Sequence, residues 1–154
     1  GKKDYEHFFK SKAHAYGNRM SVCTNFSEEL ANRIYAGADL FLMPSLSEPC
    51  GLAQMISLRY GTIPIVRETG GLRDTVKPYD PEAGHGNGIT FHSVNAHDML
   101  GAIQRAIAFY WDKELWKKLM TNAFRTDFSW KASSKEYIRI YKELVKQVQE
   151  DEKL

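Results

Sequence analysis

The sequence predicts an α/β fold, a doubly wound parallel sheet with a helical C-terminus, on three observations. Apolar runs of strand length, DLFLMP at 39–44 and IPIV at 63–66, alternate with segments of helical periodicity. Each run leads into a glycine-bearing turn, SEPCG or ETGG, beyond which the periodicity changes. No β signal returns after Asn95. Repeated strand–helix–strand alternation with right-handed crossovers favours a parallel sheet over an antiparallel sandwich.

The elements follow in order. Over 4–16, Tyr5, Phe8, Phe9, Ala13 and Tyr16 keep helical spacing, and Gly17 stops the helix. RMSVCTN at 19–25 reads as a short strand, and Ser27 caps a helix that opens with Glu28 and Glu29. After the buried strand DLFLMP and the SEPCG turn comes a helix of about ten residues closed by Gly61, then the strand IPIV and the loop ETGG. KPYDPEAGHGNG at 77–88 reads as an exposed loop before the strand ITF. Asn95 caps a helix to Tyr110, Asp112 a second to about Phe124, and a third runs from about Ser133 to the charged end, where QVQEDEKL is polar and expected to fray. There is no internal repeat and no low-complexity tract.

With 154 residues and 43% hydrophobic side chains, the chain is expected to form one domain, 1–154, with a real core. The 21 basic and 19 acidic residues leave a formal charge of +2 without a Lys/Arg run, which disfavours nucleic acid and acidic membranes as partners. No stretch has the length of a membrane helix and the N-terminus lacks a signal-peptide core, so the expected setting is the cytoplasm. Cys23 and Cys50 show no CxxC spacing and fit a reduced compartment. The chain begins without Met and reads as a piece of something longer.

Chemistry is expected at the turn after LFLMP, because ligands of open parallel sheets collect beyond the carboxyl ends of the strands. Glu48, the following Pro49 and Gly51 meet there at the start of a helix. Free amides at Gly51, Leu52 and Ala53 can take a phosphate. The helix dipole would add about 0.3–1 kcal/mol and each charged hydrogen bond about 1.5–3 kcal/mol, so the direct bonds would carry the affinity. The plainer reading makes Glu48 a solvated loop acid and Gly51 a strand breaker. Thr69, Gly70 and Gly71 follow the next strand, either as a second wall of the same crevice or as a tight turn. Asp74 and Thr75 read as local caps.

Other chemistries find less support. His7, His14, His85, His92 and His97 show no ligand spacing, so no metal is expected. No GxSxG occurs, and Cys50 reads as a pocket wall rather than a nucleophile. Trp111, Trp116 and Trp130 read as packing anchors rather than a sugar-stacking platform.

The strings YAGADLFLMPSLSEPCGLAQ, YGTIPIVRETGGLRDTV and DFSWKASSKEYIRIYKEL closely resemble bacterial glycogen synthases and plant starch synthases. The resemblance runs over essentially the whole chain, and EPCGL followed by TGGLxDTV is far more specific than either glycine turn alone. It implies the nucleotide-sugar-binding, Rossmann-like C-terminal half of a retaining two-domain glycosyltransferase of GT-B type. The expected activity is elongation of an α-1,4-glucan from ADP-glucose or UDP-glucose, with no cofactor and no metal. Glu48 is then the catalytic-centre carboxylate contacting the donor glucose, and Cys50, Gly51, Leu52, Ala53 and Gln54 hold the diphosphate through backbone amides. Thr69, Gly70 and Gly71 become secondary donor contacts. Phe26 falls where the family places an aromatic ring near the adenine, the alternative being core packing.

The chain departs from the pattern in places. Glu68 stands where bacterial relatives commonly have a basic residue, and Ile56 stands where broader relatives carry a second glutamate that glycogen synthases commonly lack. In relatives an Arg and a Lys that neutralise the diphosphate, and the acceptor-binding N-terminal domain, precede the point where this chain starts. The acceptor glucan and that N-terminal domain are therefore expected partners of the whole enzyme, located in the cytoplasm, or in a plastid for a plant protein. The fragment alone is expected to be inactive. The competing expectation is an isolated nucleotide-binding module without catalysis.

Overall fold

A computed structural model describes residues 2–151, and its sheet has three parallel strands in the order β1-β2-β3. β1 spans Leu40–Met43, β2 Ile63–Arg67 and β3 Ile89–Phe91. Leu40 lies opposite Ile63 and Met43 opposite Val66, while Ile65 lies opposite Ile89 and Arg67 opposite Phe91. The central strand is buried along Ile63–Val66, the continuous apolar run required of a parallel strand covered on both faces.

Alternation along β2 divides the core in two. Ile63 and Ile65 join Ile89 and Phe91 in packing against Leu58, Ala102, Ala106, Trp116, Leu119 and Ala123. Val66 faces the other way, against Leu72, Val76 and Met43. Helices therefore cover both faces, as the doubly wound reading requires. They are α3 (Ala53–Tyr60), α5 (Ala96–Trp111) and α6 (Lys113–Arg125) beside the first cluster and α4 (Gly70–Thr75) beside the second. Each fully buried Ile or Leu contributes about 1.5–3 kcal/mol by leaving water.

The chain divides into two units, Gly1–Ile34 and Tyr35–Leu154. The first contains α1 (Lys3–Tyr16), a 3-10 turn at Gly17–Arg19 and the start of α2 (Glu28–Gly37). Gly17 ends α1 at φ 53°, its amide donating to the Ala13 carbonyl. Ser27 Oγ accepts from the Leu30 amide at 3.2 Å, as its capping role predicts. The predicted strand at 19–25 is not formed. Met20 has extended angles, φ −143° and ψ 127°, but the segment joins no ladder among the described residues, and extended backbone becomes a strand only by pairing.

Caps in the second unit follow the sequence closely. Gly61 closes α3 in the left-handed region at φ 79°, Asn95 Oδ1 accepts from the Asp98 amide at 2.8 Å, and Asp112 Oδ1 accepts from the Leu115 amide at 3.0 Å. α7 spans Trp130–Asp151, beginning three residues before the predicted start because Ser129 Oγ already accepts from the Ala132 amide. The predicted fraying of the tail falls partly on 152–154, outside the described residues, while 147–151 are helical. No helix among the described residues is long and apolar enough to cross a membrane.

Two predictions about packing are corrected. Trp116 is buried, but Trp111 and Trp130 are 71% and 87% exposed, one ending α5 with its ring edge-on to Tyr110 and the other beginning α7. The segment at 77–88 is not a simple exposed loop. Tyr79 and Asn87 are buried within it, and Asn87 Nδ2 donates to the Thr75 carbonyl and to Thr126 Oγ1 while its Oδ1 accepts from the Lys77 amide. Asn87 is buried with its amide satisfied, whereas the buried Tyr79 hydroxyl has no hydrogen-bond partner and its ring packs edge-on against Phe109.

Candidate functional site

β1 and β2 run parallel, so the turns that follow them leave the sheet at the same edge. The first, 44–52, carries Glu48 and leads into α3; the second, Glu68 and Thr69, leads into α4. The ETGG segment is thus shorter as a loop than the sequence implies, because Gly70 and Gly71 already belong to a six-residue helix. That helix was missed for want of length and of an apolar stripe.

The first turn keeps its donors free. No side chain caps the N-terminus of α3, and the amides of Gly51, Leu52 and Ala53 donate no hydrogen bond among the described residues. Gly51 sits at φ 75°, where an L side chain is strained, and a Cβ there would lie 2.5 Å from Gln54 Oε1. Its glycine thus allows both the turn and the approach of a polar group to the backbone. Glu48 is half-buried, and its carboxylate makes no hydrogen bond or ion pair among the described residues. Cys50 is exposed and free, with Sγ 3.7 Å from the Gly51 carbonyl. An unengaged carboxylate beside three unengaged amides can contact a polyol and an anion at once.

The second turn is committed to the first. The Gly71 amide donates to the Glu48 carbonyl at 3.0 Å, and a Cβ on Gly71 would lie 2.3 Å from the Cys50 carbonyl oxygen. A Cβ on Gly70 would lie 2.0 Å from the Glu48 carbonyl oxygen. The close approach that this glycine pair permits is to backbone, and Gly71 is itself buried. Thr69 precedes α4 with extended angles, and its hydroxyl does not cap the helix. Asp74 lies inside α4 and does not cap it, contrary to the sequence reading.

Side chains extend this stitching, and the sequence did not signal them. Gln54 is fully buried and does more than lend its amide: Nε2 donates to the carbonyls of Cys50 and Gly51 and to Thr75 Oγ1, at 2.9–3.1 Å. Thr75 in turn donates to the Gly71 carbonyl at 2.6 Å, so it bridges the two turns instead of capping one. Gln54 Oε1 is left without a partner. Arg67, the last residue of β2, sends its guanidinium into the carbonyls of Ser45 and Leu46. The only sequence sign of that role was a charge at the end of an otherwise apolar strand.

Phe26 belongs to the first unit and is 91% exposed. Ile56 is on α3 and exposed. Glu68 pairs with His92, Oε2 to Nδ1 at 3.1 Å. Among the described residues no group of three or more His, Cys, Asp or Glu is placed to hold a metal ion.

Comparison with known proteins identifies the family. The pattern that defines Glycosyl transferases group 1 matches residues 1–125. The chain is 55% identical over 145 residues to the glycogen synthase of Bacillus cereus (strain Q1), covering 94% of this chain and 30% of that protein. It is 54% identical over 142 residues to the glycogen synthase of Geobacillus stearothermophilus, covering 92% and 29%. Among solved structures, the catalytic domain of Starch Synthase IV from Arabidopsis thaliana bound to ADP and acarbose matches with a TM-score of 0.79 and 36% identity, over 92% of this chain and 29% of that one. Sucrose-phosphate synthase from Thermosynechococcus elongatus, at 24% identity and a TM-score of 0.62, shares the fold. The chain spans under a third of the length of the relatives it matches. With that pattern matched over residues 1–125 of 154, the chain belongs to the group 1 glycosyl transferases.

Proposed function

We propose that this chain is the donor-binding half of a glucan synthase, holding ADP-glucose or UDP-glucose between the Glu48 turn and a preceding acceptor-binding domain. The observation that carries the reading is the pairing of an unengaged Glu48 carboxylate with uncapped amides at Gly51, Leu52 and Ala53. Identity of 55% to glycogen synthases supports the substrate class. In the proposed reaction the bond from the glucose anomeric carbon to the diphosphate breaks with its electron pair leaving on the phosphate. The nonreducing 4-hydroxyl of an α-1,4-glucan forms the new bond on the same face, and its proton passes to the departing phosphate oxygen. Glu48 positions the glucose and stabilises positive charge at the reacting carbon. The amides, joined by an Arg and a Lys from the preceding segment, stabilise the leaving diphosphate without a metal. The setting is the cytoplasm, or a plastid in a plant.

The test is glucan elongation by the natural full-length protein carrying this sequence, supplied with either sugar nucleotide and a maltooligosaccharide. The expected product is α-1,4-linked, and residues 1–154 alone give none. No transfer from either donor, or a β-linked product, contradicts the reading. An isolated nucleotide-binding module is the second reading, favoured by the same free amides; it predicts ADP binding that survives E48A in a protein that never elongates glucan.

A further inference from the structure

We propose that Arg67 is a positioning residue for the reaction, holding the Glu48 turn in its working shape from the neighbouring strand. This rests on the reading of that turn as the donor site. Arg67 ends β2, half-buried, where its backbone is fixed by pairing with Phe91 of β3 and by the Thr69 amide donating to its carbonyl at 2.9 Å. Its Nε donates to the Ser45 carbonyl at 2.8 Å and its Nη2 to the Leu46 carbonyl.

Those two carbonyls belong to consecutive residues in the turn that leaves β1, two and three positions before Glu48. A planar guanidinium can address both at once, whereas a lysine ammonium is a single point donor. Arg67 forms no ion pair among the described residues, so its interactions there are spent on turn backbone rather than on a carboxylate. Beyond Glu48 the turn is held by the Gly71 amide and by Gln54. Before Glu48, between Pro44 and Ser47, Arg67 supplies the hydrogen bonds that reach across from β2. Releasing that side frees the carboxylate to move while leaving the α3 amides anchored, so turnover suffers more than donor binding.

The test uses the natural full-length protein and its R67A and R67K variants. Glucan elongation is assayed with and without added guanidinium, alongside backbone amide order parameters over 45–51 from nuclear magnetic resonance and thermal unfolding. The expected result for R67A is a loss of kcat of about a hundredfold, the scale set by a displacement of about 1 Å at a reacting group. The donor KM changes much less, guanidinium partly restores kcat, and the order parameters fall at 45–48. R67K keeps the charge and the fold yet recovers little turnover. Wild-type kcat in both variants with unchanged order parameters overturns the proposal, as does a loss confined to KM. If the wild-type protein elongates no glucan, the donor-site reading fails by itself, and the order parameters still decide whether Arg67 holds the turn.

Discussion

Two turns leave the same edge of the sheet, each with glycine at the approach to a helix, and their backbone groups are engaged differently. The turn after β1 leaves the Gly51, Leu52 and Ala53 amides and the Glu48 carboxylate unengaged. The turn after β2 spends the Gly71 amide on the Glu48 carbonyl and the absent Cβ atoms of Gly70 and Gly71 on contact with the first turn's backbone. On the proposed reading the first turn is the site and the second supports it through the Gly71 amide. A glycine pair at a strand end is therefore weak evidence for a ligand until its amides are accounted for.

Substitutions should separate the two roles. The largest effect is expected at the first turn, where E48Q lowers kcat by about 10²–10³-fold, the scale of removing one preorganised electrostatic contact. The unfolding midpoint should stay as in the wild type, because the carboxylate holds nothing in the fold. Loss of both stability and turnover in E48Q would make Glu48 part of the support. Next comes G71A at the second turn, whose methyl meets the Cys50 backbone and costs about 2–3 kcal/mol as overpacking. Chemical denaturation should record it, with turnover falling because the first turn is displaced. An unchanged G71A would mean that the turns are not mechanically joined.

Q54L is expected to be milder, about 1–2 kcal/mol. It removes two N–H donors shared among three acceptors but also the unpaired Oε1, and the second term offsets part of the first. Asp98 should have the smallest effect and serves as a control remote from either turn. Hydrogen bonds from Ser93, the backbone amide first, hold its carboxyl below the usual carboxylate range. Its contribution is present above the unfolded-state value and disappears as pH falls through the lower folded-state value. D98N should flatten that part of an acid-unfolding curve without altering turnover at neutral pH; altered turnover would remove it as a control.

The sequence made the local features legible. Ser27, Asn95 and Asp112 cap where a short polar side chain precedes an apolar-periodic segment, and Gly61 closes α3 through its left-handed backbone. β2 was readable because four consecutive buried apolar residues leave few alternatives. What failed depended on distant partners. The 19–25 segment has strand character but no ladder, Trp130 has helical context but nothing to bury it, and Tyr79 is buried under Phe109 from a loop that reads as exposed. At the site, Glu48 and Gly51 were legible from a strand-to-helix turn. The Arg67 and Thr75 bonds were not, because they join residues 21 or 22 positions apart.

The central claim is that the first turn receives the donor diphosphate and the second does not. Amide resonances of the natural full-length protein, followed by nuclear magnetic resonance during titration with ADP, test it most directly. The expected result is a large shift of the Gly51, Leu52 and Ala53 amides, with the Gly71 amide, already bonded to Glu48, moving little. Large shifts at Gly71 with Gly51, Leu52 and Ala53 silent would contradict the account and exchange the roles of the two turns.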